Sequence, residues 1–419
     1  MAGPRPSAQA PASGPGARTR ITGLDLARSV AIFWMFVAHV GPDRDAGGVN
    51  RLLWLGDGRS AALFAVLAGA TLTLVHRRPP PPWQGREAAA GFRSIAAGTL
   101  VRSAVLLLLG TALAGPDTGA LVILPFFALY FVAALPALWL STNRLFVVAA
   151  WWAGLGPVVS FVLRNGWRQT DPGYRVPDLT AFGDPGELAR TLFVTGSYPV
   201  LTWMPFVLVG MAVGRLDLLD HAVQRLLVEF GAVAAVVGYG SSWLLVHVFG
   251  GRDALVTAAN DWIDPSAAHG DPVLALLRWF TGTVPADDPV WLIVAQGHSG
   301  TPFEIVGASG VACAVVGVCL RVAAAPRARA LIAVPVAVGT MSLTVYTVHL
   351  LAGWSPLTPG AGSWGRLAAF TVVAGAGAWL WLRFAAKGPL ETVLAYVTPR
   401  RRRGSPAPAP PPAADPGAE

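Results

Sequence analysis

The sequence predicts an all-α fold: a polytopic integral membrane bundle of about ten transmembrane helices with both termini cytoplasmic. Three observations predict it. Only 13% of the 419 residues are charged, where an ordinary globular chain carries about 25%. Hydrophobic residues make up 54%, the mean hydropathy is +0.54, and apolar runs near the ~20 residues needed to cross a ~30 Å hydrocarbon core recur along the chain. Sixteen tryptophans suit the aromatic belts at the two faces of a bilayer. A segment in lipid must satisfy its backbone hydrogen bonds internally. Runs this continuous lack the alternation of a β-barrel, so each is expected to be a helix.

Residues 1–20, rich in Pro, Ala, Gly and Ser, are expected to form a disordered tail. The first span, 22–40, carries Asp25 and Arg28, which argues against a cleavable signal peptide. The second, 59–75, opens at GDGR and stops at HRRPPPP; the third, 95–114, starts after Arg93 and ends at GPDTG. Spans follow at 120–140, before STNR, and at 145–163, before RNGWR. The sixth, 197–214, runs from SYPV to GRLD, and the seventh, 225–249, from Arg225 to GGRD. The last three are 300–322, from GTPFE to Arg321; 331–352, up to GWSP; and 364–385, up to AKGP. The expected organisation is one membrane domain over 21–390 and a basic, Pro-rich disordered tail over 391–419. No internal repeat is evident, so an inverted-repeat transporter finds no support in sequence symmetry.

Arginine bias orients the bundle. With the N-terminus inside, the cytoplasmic loops receive Arg77, Arg78, Arg86 and Arg93, then Arg144, Arg215 and Arg225, then Arg321, Arg327 and Arg329, and finally Lys387 and Arg400 to Arg403. The turns GPDTG and GWSPLTPGAGS carry none. The stretches 164–196 and 250–299 are then long outer loops. The net charge of +8 therefore reports topology, and no nucleic acid partner is expected. Cys313 and Cys319 lie six apart on one apolar segment and are read as packing residues. With Lys387 as the only lysine, there is no GxxxxGK[ST] phosphate loop, and no HExxH or CxxC pattern supports a metal.

Polar groups within spans cost ~2.5–3.5 kcal/mol for a charge at the helix centre, so their positions carry the functional signal. Asp25 and His39 are fourteen residues apart, about 21 Å of helix, which puts an acid near the inner end and an imidazole near the outer end of one span. Asp57 and Arg59 open the second span from outside, Tyr198 and Trp203 the sixth, and His298 and Glu304 the eighth; His349 lies near the outer end of the ninth. His39, Asp57, His298, Glu304 and His349 are the candidate catalytic residues. An imidazole near its ordinary pKa of ~6.5 suits a general base, with Asp57 or Glu304 to orient it. A plain alternative is solvation at the membrane surface, weakest for His39, which sits in IFWMFVAHV and needs a partner. On the inner side Asp25 and Arg28 share a helix face, with Arg102 and Arg215 near inner helix ends. They form either an ion pair with snorkelling arginines or a receiver for phosphates. His76, His221, His247 and His269 show no ligand spacing.

The first span, RITGLDLARSVAIFWMFVAHV, resembles the opening helix of the transmembrane acyltransferase superfamily. GDGRSAALFAVLAGATLTL, YPVLTWMPFVLVGMAVGRLDL, GHSGTPFEIVGASGVACAVVGVCL and VGTMSLTVYTVHLL are similar to bacterial proteins named for the catalytic domain of heparan-alpha-glucosaminide N-acetyltransferase. The likeness runs from about Arg20 to Lys387. It implies acyl transfer from cytosolic acetyl-CoA, or another acyl-CoA, to an amine or hydroxyl of an extracytoplasmic sugar or glycoconjugate, by a multi-pass protein of a bacterial cell membrane. The family's first-span His maps onto His39, its Asp and Arg onto Asp25 and Arg28, and its ninth-span His onto His349. No metal is implied, the lipid bilayer is the obligate partner, and a homodimer stays open. Two further classes remain: a proton-coupled transporter relaying through Asp25, His39 and His349, and a non-catalytic scaffold of the same fold.

Overall fold

A computed structural model describes residues 20–43, 49–50, 54–76, 78–115, 121–167, 176–263, 271–354 and 362–398. The tail over residues 1–19, the arginines 400–403 and most of both arginine-free turns lie outside the described residues. Every described element is helical. The succession is α1 (Thr22–Val40), α2 (Arg59–His76), α3 (Arg86–Ala114), α4 (Leu124–Ala133), α5 (Thr142–Gly166), α6 (Pro185–Arg190), α7 (Val200–Val213) and α8 (His221–His247). It continues with α9 (Gly251–Asn260), α10 (Pro272–Trp279), α11 (Pro302–Ala324), α12 (Ala333–Thr340), α13 (Ser342–Trp354), α14 (Trp364–Trp381) and α15 (Pro389–Val397).

Nine of the ten expected apolar segments each fall on one of these helices, and 331–352 falls on two, α12 and α13. By length and composition six described helices can cross a membrane, or eight if each of two bent pairs counts as one span. The ten-span topology is thus an upper reading of the same segments: α4 has only 10 residues, and α14 is not among the helices that qualify. The chain is a multi-pass helical membrane bundle. Its outer surface confirms the solvent for which it is built: Trp151, Phe230, Val236 and Val373 stand on α5, α8 and α14 more than two-thirds exposed, an arrangement costly in water and ordinary in lipid.

α7 lies at the centre. Trp203, Phe206, Val207 and Met211 are wholly enclosed, between α2 on one side and α5 on the other. α1 packs on α2, α11 and α12. α8 touches the bundle through one stripe, Gln224, Leu227, Gly231, Gly238 and Ser242, the spacing of a single helix face. Glycines let α8 and α11 close tightly: a side chain on Gly238 would strike the backbone of Gly307, and one on Gly231 the backbone of Gly310 and Ala314. Small residues at a crossing are how helices associate where apolar lipid gives no hydrophobic drive.

Three features differ from the sequence expectation. The stretch 250–299 is a folded cap rather than an open loop: α9, α10 and a 3₁₀ turn at Pro289–Ile293 enclose Leu255, Leu276, Phe280 and Trp291 in a core of their own. Helices of ten and eight residues fall below any membrane-length window. Two spans are broken. Pro185–Thr195 meets α7 at 59°, with the break at Gly196–Pro199, and α12 meets α13 at 83°. Finally, residues 391–397, expected within the tail, are helical in α15, where Leu394 is buried.

Candidate active site

The outer end of α1 presents His39. Its Nδ1 lies 2.9 Å from Nε2 of His349 on α13, and the two rings are parallel, 8° apart in plane with centroids at 5.2 Å. Phe36, one turn before His39, and Tyr346, one turn before His349, close over the His349 ring. His39 faces a cavity of about 390 Å³. Asp57, His298 and Tyr198 stand around the same space, together with Arg278, Gln296 and Tyr346.

Asp57 sits in the turn that opens α2. The next residue, Gly58, has φ +71° and lies so close to Gly297 that a Cβ would be 2.7 Å from its Cα. Only glycine fits there. Across that contact His298 is the one described non-glycine residue with positive φ, at 64°. Its carbonyl accepts the Gly282 N–H at 2.5 Å, while Thr301 caps α11 by accepting the Glu304 N–H. The His298 ring packs edge-on to Tyr198 and over Trp203, and its Nε2 is 3.9 Å from Oδ1 of Asp57. Burial pushes the His298 imidazole below its ordinary pKa, and the Asp57 carboxylate opposes that. Backbone strain of this kind concentrates at functional sites.

The two tyrosines hold the wall between α3 and α4. Tyr198 Oη donates to the Leu121 carbonyl at 3.3 Å, and Tyr346 Oη accepts the Ile123 N–H at 3.2 Å. Tyr346 escaped the sequence reading, although it lies three residues before His349 and so on the same helix face. Arg278 and Gln296 escaped it too; both belong to the cap, whose fold no apolar pattern announced.

Glu304 is placed differently from its expected role. It is completely buried beneath the 298–301 loop, and neither carboxylate oxygen has a hydrogen-bond partner. The nearby cation is Arg59, whose Nε donates to Tyr239 Oη at 3.0 Å. The hydrogen-bond partner of His39 at its Nδ1 is His349.

At the other end of α1, Arg20 Nε lies 2.5 Å from Oδ2 of Asp25. Arg28 pairs with Asp25 and donates to Thr71 Oγ1 at 2.7 Å. Arg102 stacks on Phe131 with its guanidinium 5.4 Å from the ring centroid and feels the charge of Arg28. Asp25, Arg28 and Arg102 therefore share one neighbourhood, which Arg20 joins. Arg215 does not: it donates to the Leu138 and Leu140 carbonyls, with Arg78 as its charged neighbour. The remaining histidines are local. His221 contacts Gln224 and His247 stacks on Trp243, while His269 lies outside the described residues. Cys319 is buried and Cys313 half-buried, both as free thiols.

Comparison with curated proteins yields no match. The family model described as heparan-alpha-glucosaminide N-acetyltransferase, catalytic, matches residues 20–249, just over half of the chain. That stretch holds Asp25, Arg28, His39, Asp57, Arg102 and Arg215; His298, Glu304 and His349 come from beyond it. The protein therefore belongs to the heparan-alpha-glucosaminide N-acetyltransferase catalytic-domain family.

Proposed function

We propose that the protein is a membrane-embedded acyltransferase that moves an acetyl or longer acyl group from cytosolic acyl-CoA to an amine or hydroxyl of an extracytoplasmic sugar or glycoconjugate, in the plasma membrane. The observation that carries this reading is the His39–His349 hydrogen bond at the cavity wall. Nδ1 of His349 is buried without a hydrogen-bond partner, and in this reading its Nε2 is the acceptor of the pair. His39 then donates from Nδ1 and keeps the lone pair of its own Nε2 for the cavity. An imidazole in that tautomer is a general base.

In this reading the acceptor nitrogen or oxygen attacks the thioester carbonyl carbon while its proton passes to His39 Nε2. The C=O electrons move onto oxygen, where main-chain N–H groups and Arg278 offer stabilisation. Collapse breaks the C–S bond, the new amide or ester stays on the acceptor, and CoA leaves as a thiolate that takes up the proton. Asp57 and His298 on the facing wall orient the acceptor. Arg28, eleven residues or about 16 Å down α1 from His39, and Arg102 on α3 beside it receive the CoA phosphates through guanidinium forks.

Calorimetry with acetyl-CoA on purified protein tests the donor; absence of binding at high micromolar concentration sinks the reading. His39→Gln tests the base. An amide keeps a hydrogen bond to His349 but takes no proton, so turnover should fall about 10²- to 10⁴-fold with CoA affinity unchanged. Full turnover in that variant removes His39 as base. The two broken spans favour one second reading, since discontinuous helices also build transporter sites. Proton-driven solute uptake into vesicles without any CoA requirement would replace the enzyme with that transporter.

A further inference from the structure

The nine residues of α15 make about 13 Å of helix, too short to cross a bilayer. One face meets the bundle, with Leu394 buried and Leu390 and Glu391 half-buried, while Val393, Tyr396 and Val397 are exposed. In the preceding turn Phe384 is 85% exposed, Arg383 lies 3.7 Å over the Trp379 ring, and Lys387 is exposed. Four consecutive arginines, Arg400 to Arg403, follow in the sequence. A short helix with exposed apolar and aromatic side chains, preceded by the cations Arg383 and Lys387, suits the headgroup layer of a bilayer carrying anionic lipid.

The same helix is bonded to the break between α12 and α13. Glu391 accepts the N–H groups of Leu343 at 2.7 Å and Thr344 at 3.2 Å, and the Thr344 hydroxyl at 2.6 Å. Leu390 N–H returns to Thr344 Oγ1 at 3.1 Å. The bend strands the first-turn donors of α13, which a continuous helix would have satisfied. Glu391 thus caps from another element the helix that carries Tyr346 and His349.

We propose that residues 382–397 form a surface latch that anionic phospholipid headgroups hold against the bundle, and that Glu391 transmits the occupancy of that surface to the start of α13. The test places the full chain in bilayers of phosphatidylcholine alone or with phosphatidylglycerol. Amide hydrogen exchange is read at Leu343 and Thr344, and an environment-sensitive dye is read on Tyr396→Cys in a Cys313→Ala, Cys319→Ala background. Anionic lipid should slow exchange at those two amides about tenfold, and high salt should erase the difference. In Glu391→Gln the dye should still report lipid contact while the exchange difference shrinks. Equal exchange in both bilayers overturns the proposal, as does a lipid effect that survives Glu391→Gln undiminished. If that variant does not fold, the comparison of bilayers on the unaltered chain decides alone. Neither measurement uses turnover, so this inference and the acyl transfer reading fail separately.

Discussion

His298 combines three costs in one residue: a left-handed backbone, a ring Nδ1 that is buried without a hydrogen-bond partner, and an imidazole whose charged form is disfavoured by burial. Because its folded pKa lies below the unfolded ~6.5, the unfolded chain binds more protons as pH falls through that value. Its contribution to stability is therefore present above about pH 6.5 and declines as the solution is made more acid. Thermal denaturation in detergent should show His298→Gln losing less stability than the parent chain between about pH 7 and pH 5. Parallel pH profiles for the two would refute this electrostatic account of His298. The residue was legible in the sequence as a polar group before an apolar helix, but its partner was not. Asp57 is more than two hundred positions away in sequence, and only the contact of Gly58 with Gly297 brings the two carboxylate and imidazole groups across one cavity.

At the scale of elements, the apolar segments located every long helix because hydropathy reads length directly. What hydropathy cannot read is where a helix bends or how short helices fold on each other. The Thr340–Met341 break leaves apolar composition unchanged on both sides, the helix before Gly196 carries Glu187 and Arg190 and so reads as loop, and the α9–α10 cap is amphipathic rather than apolar. The first turns of α3, with Arg86, Glu87 and Arg93, likewise lie ahead of the expected 95–114 window, since helical hydrogen bonds do not require apolar side chains. The α8–α11 crossing gives an element-scale prediction. Gly238 meets Gly307 with no room for a Cβ, so Gly238→Leu must push the helices apart, at a cost of about 1–3 kcal/mol typical of overpacking. The melting temperature should drop, whereas Gly240→Leu, at an open position on the same helix, should leave it nearly unchanged. Equal melting of the two variants would show that the crossing is not held by close backbone approach.

For the whole molecule, the decisive quantity is which end of α1 faces which compartment. His39 and its cavity occupy one end, and Asp25, Arg28 and Arg102 the other, so the proposed chemistry requires the two ends to open on opposite sides. In the expected ten-span topology arginine bias puts the His39 end outside, and that topology extends the expectation to exposed residues beyond the spans. Trp83, 72% exposed after α2, should face the cytoplasm; Phe249, 73% exposed after α8, should face outward. In a background lacking Cys313 and Cys319, a membrane-impermeant maleimide applied to intact cells should modify Phe249→Cys and leave Trp83→Cys untouched until the membrane is permeabilised. A reversed pattern would put the cavity on the same side as acyl-CoA, and the acceptor would then have to be a cytosolic molecule. Labelling of both positions from outside would mean that the number of crossings between residues 83 and 249 is even rather than odd. In that case the short α4, which has too few residues to span alone, is the segment whose crossing must be reassigned.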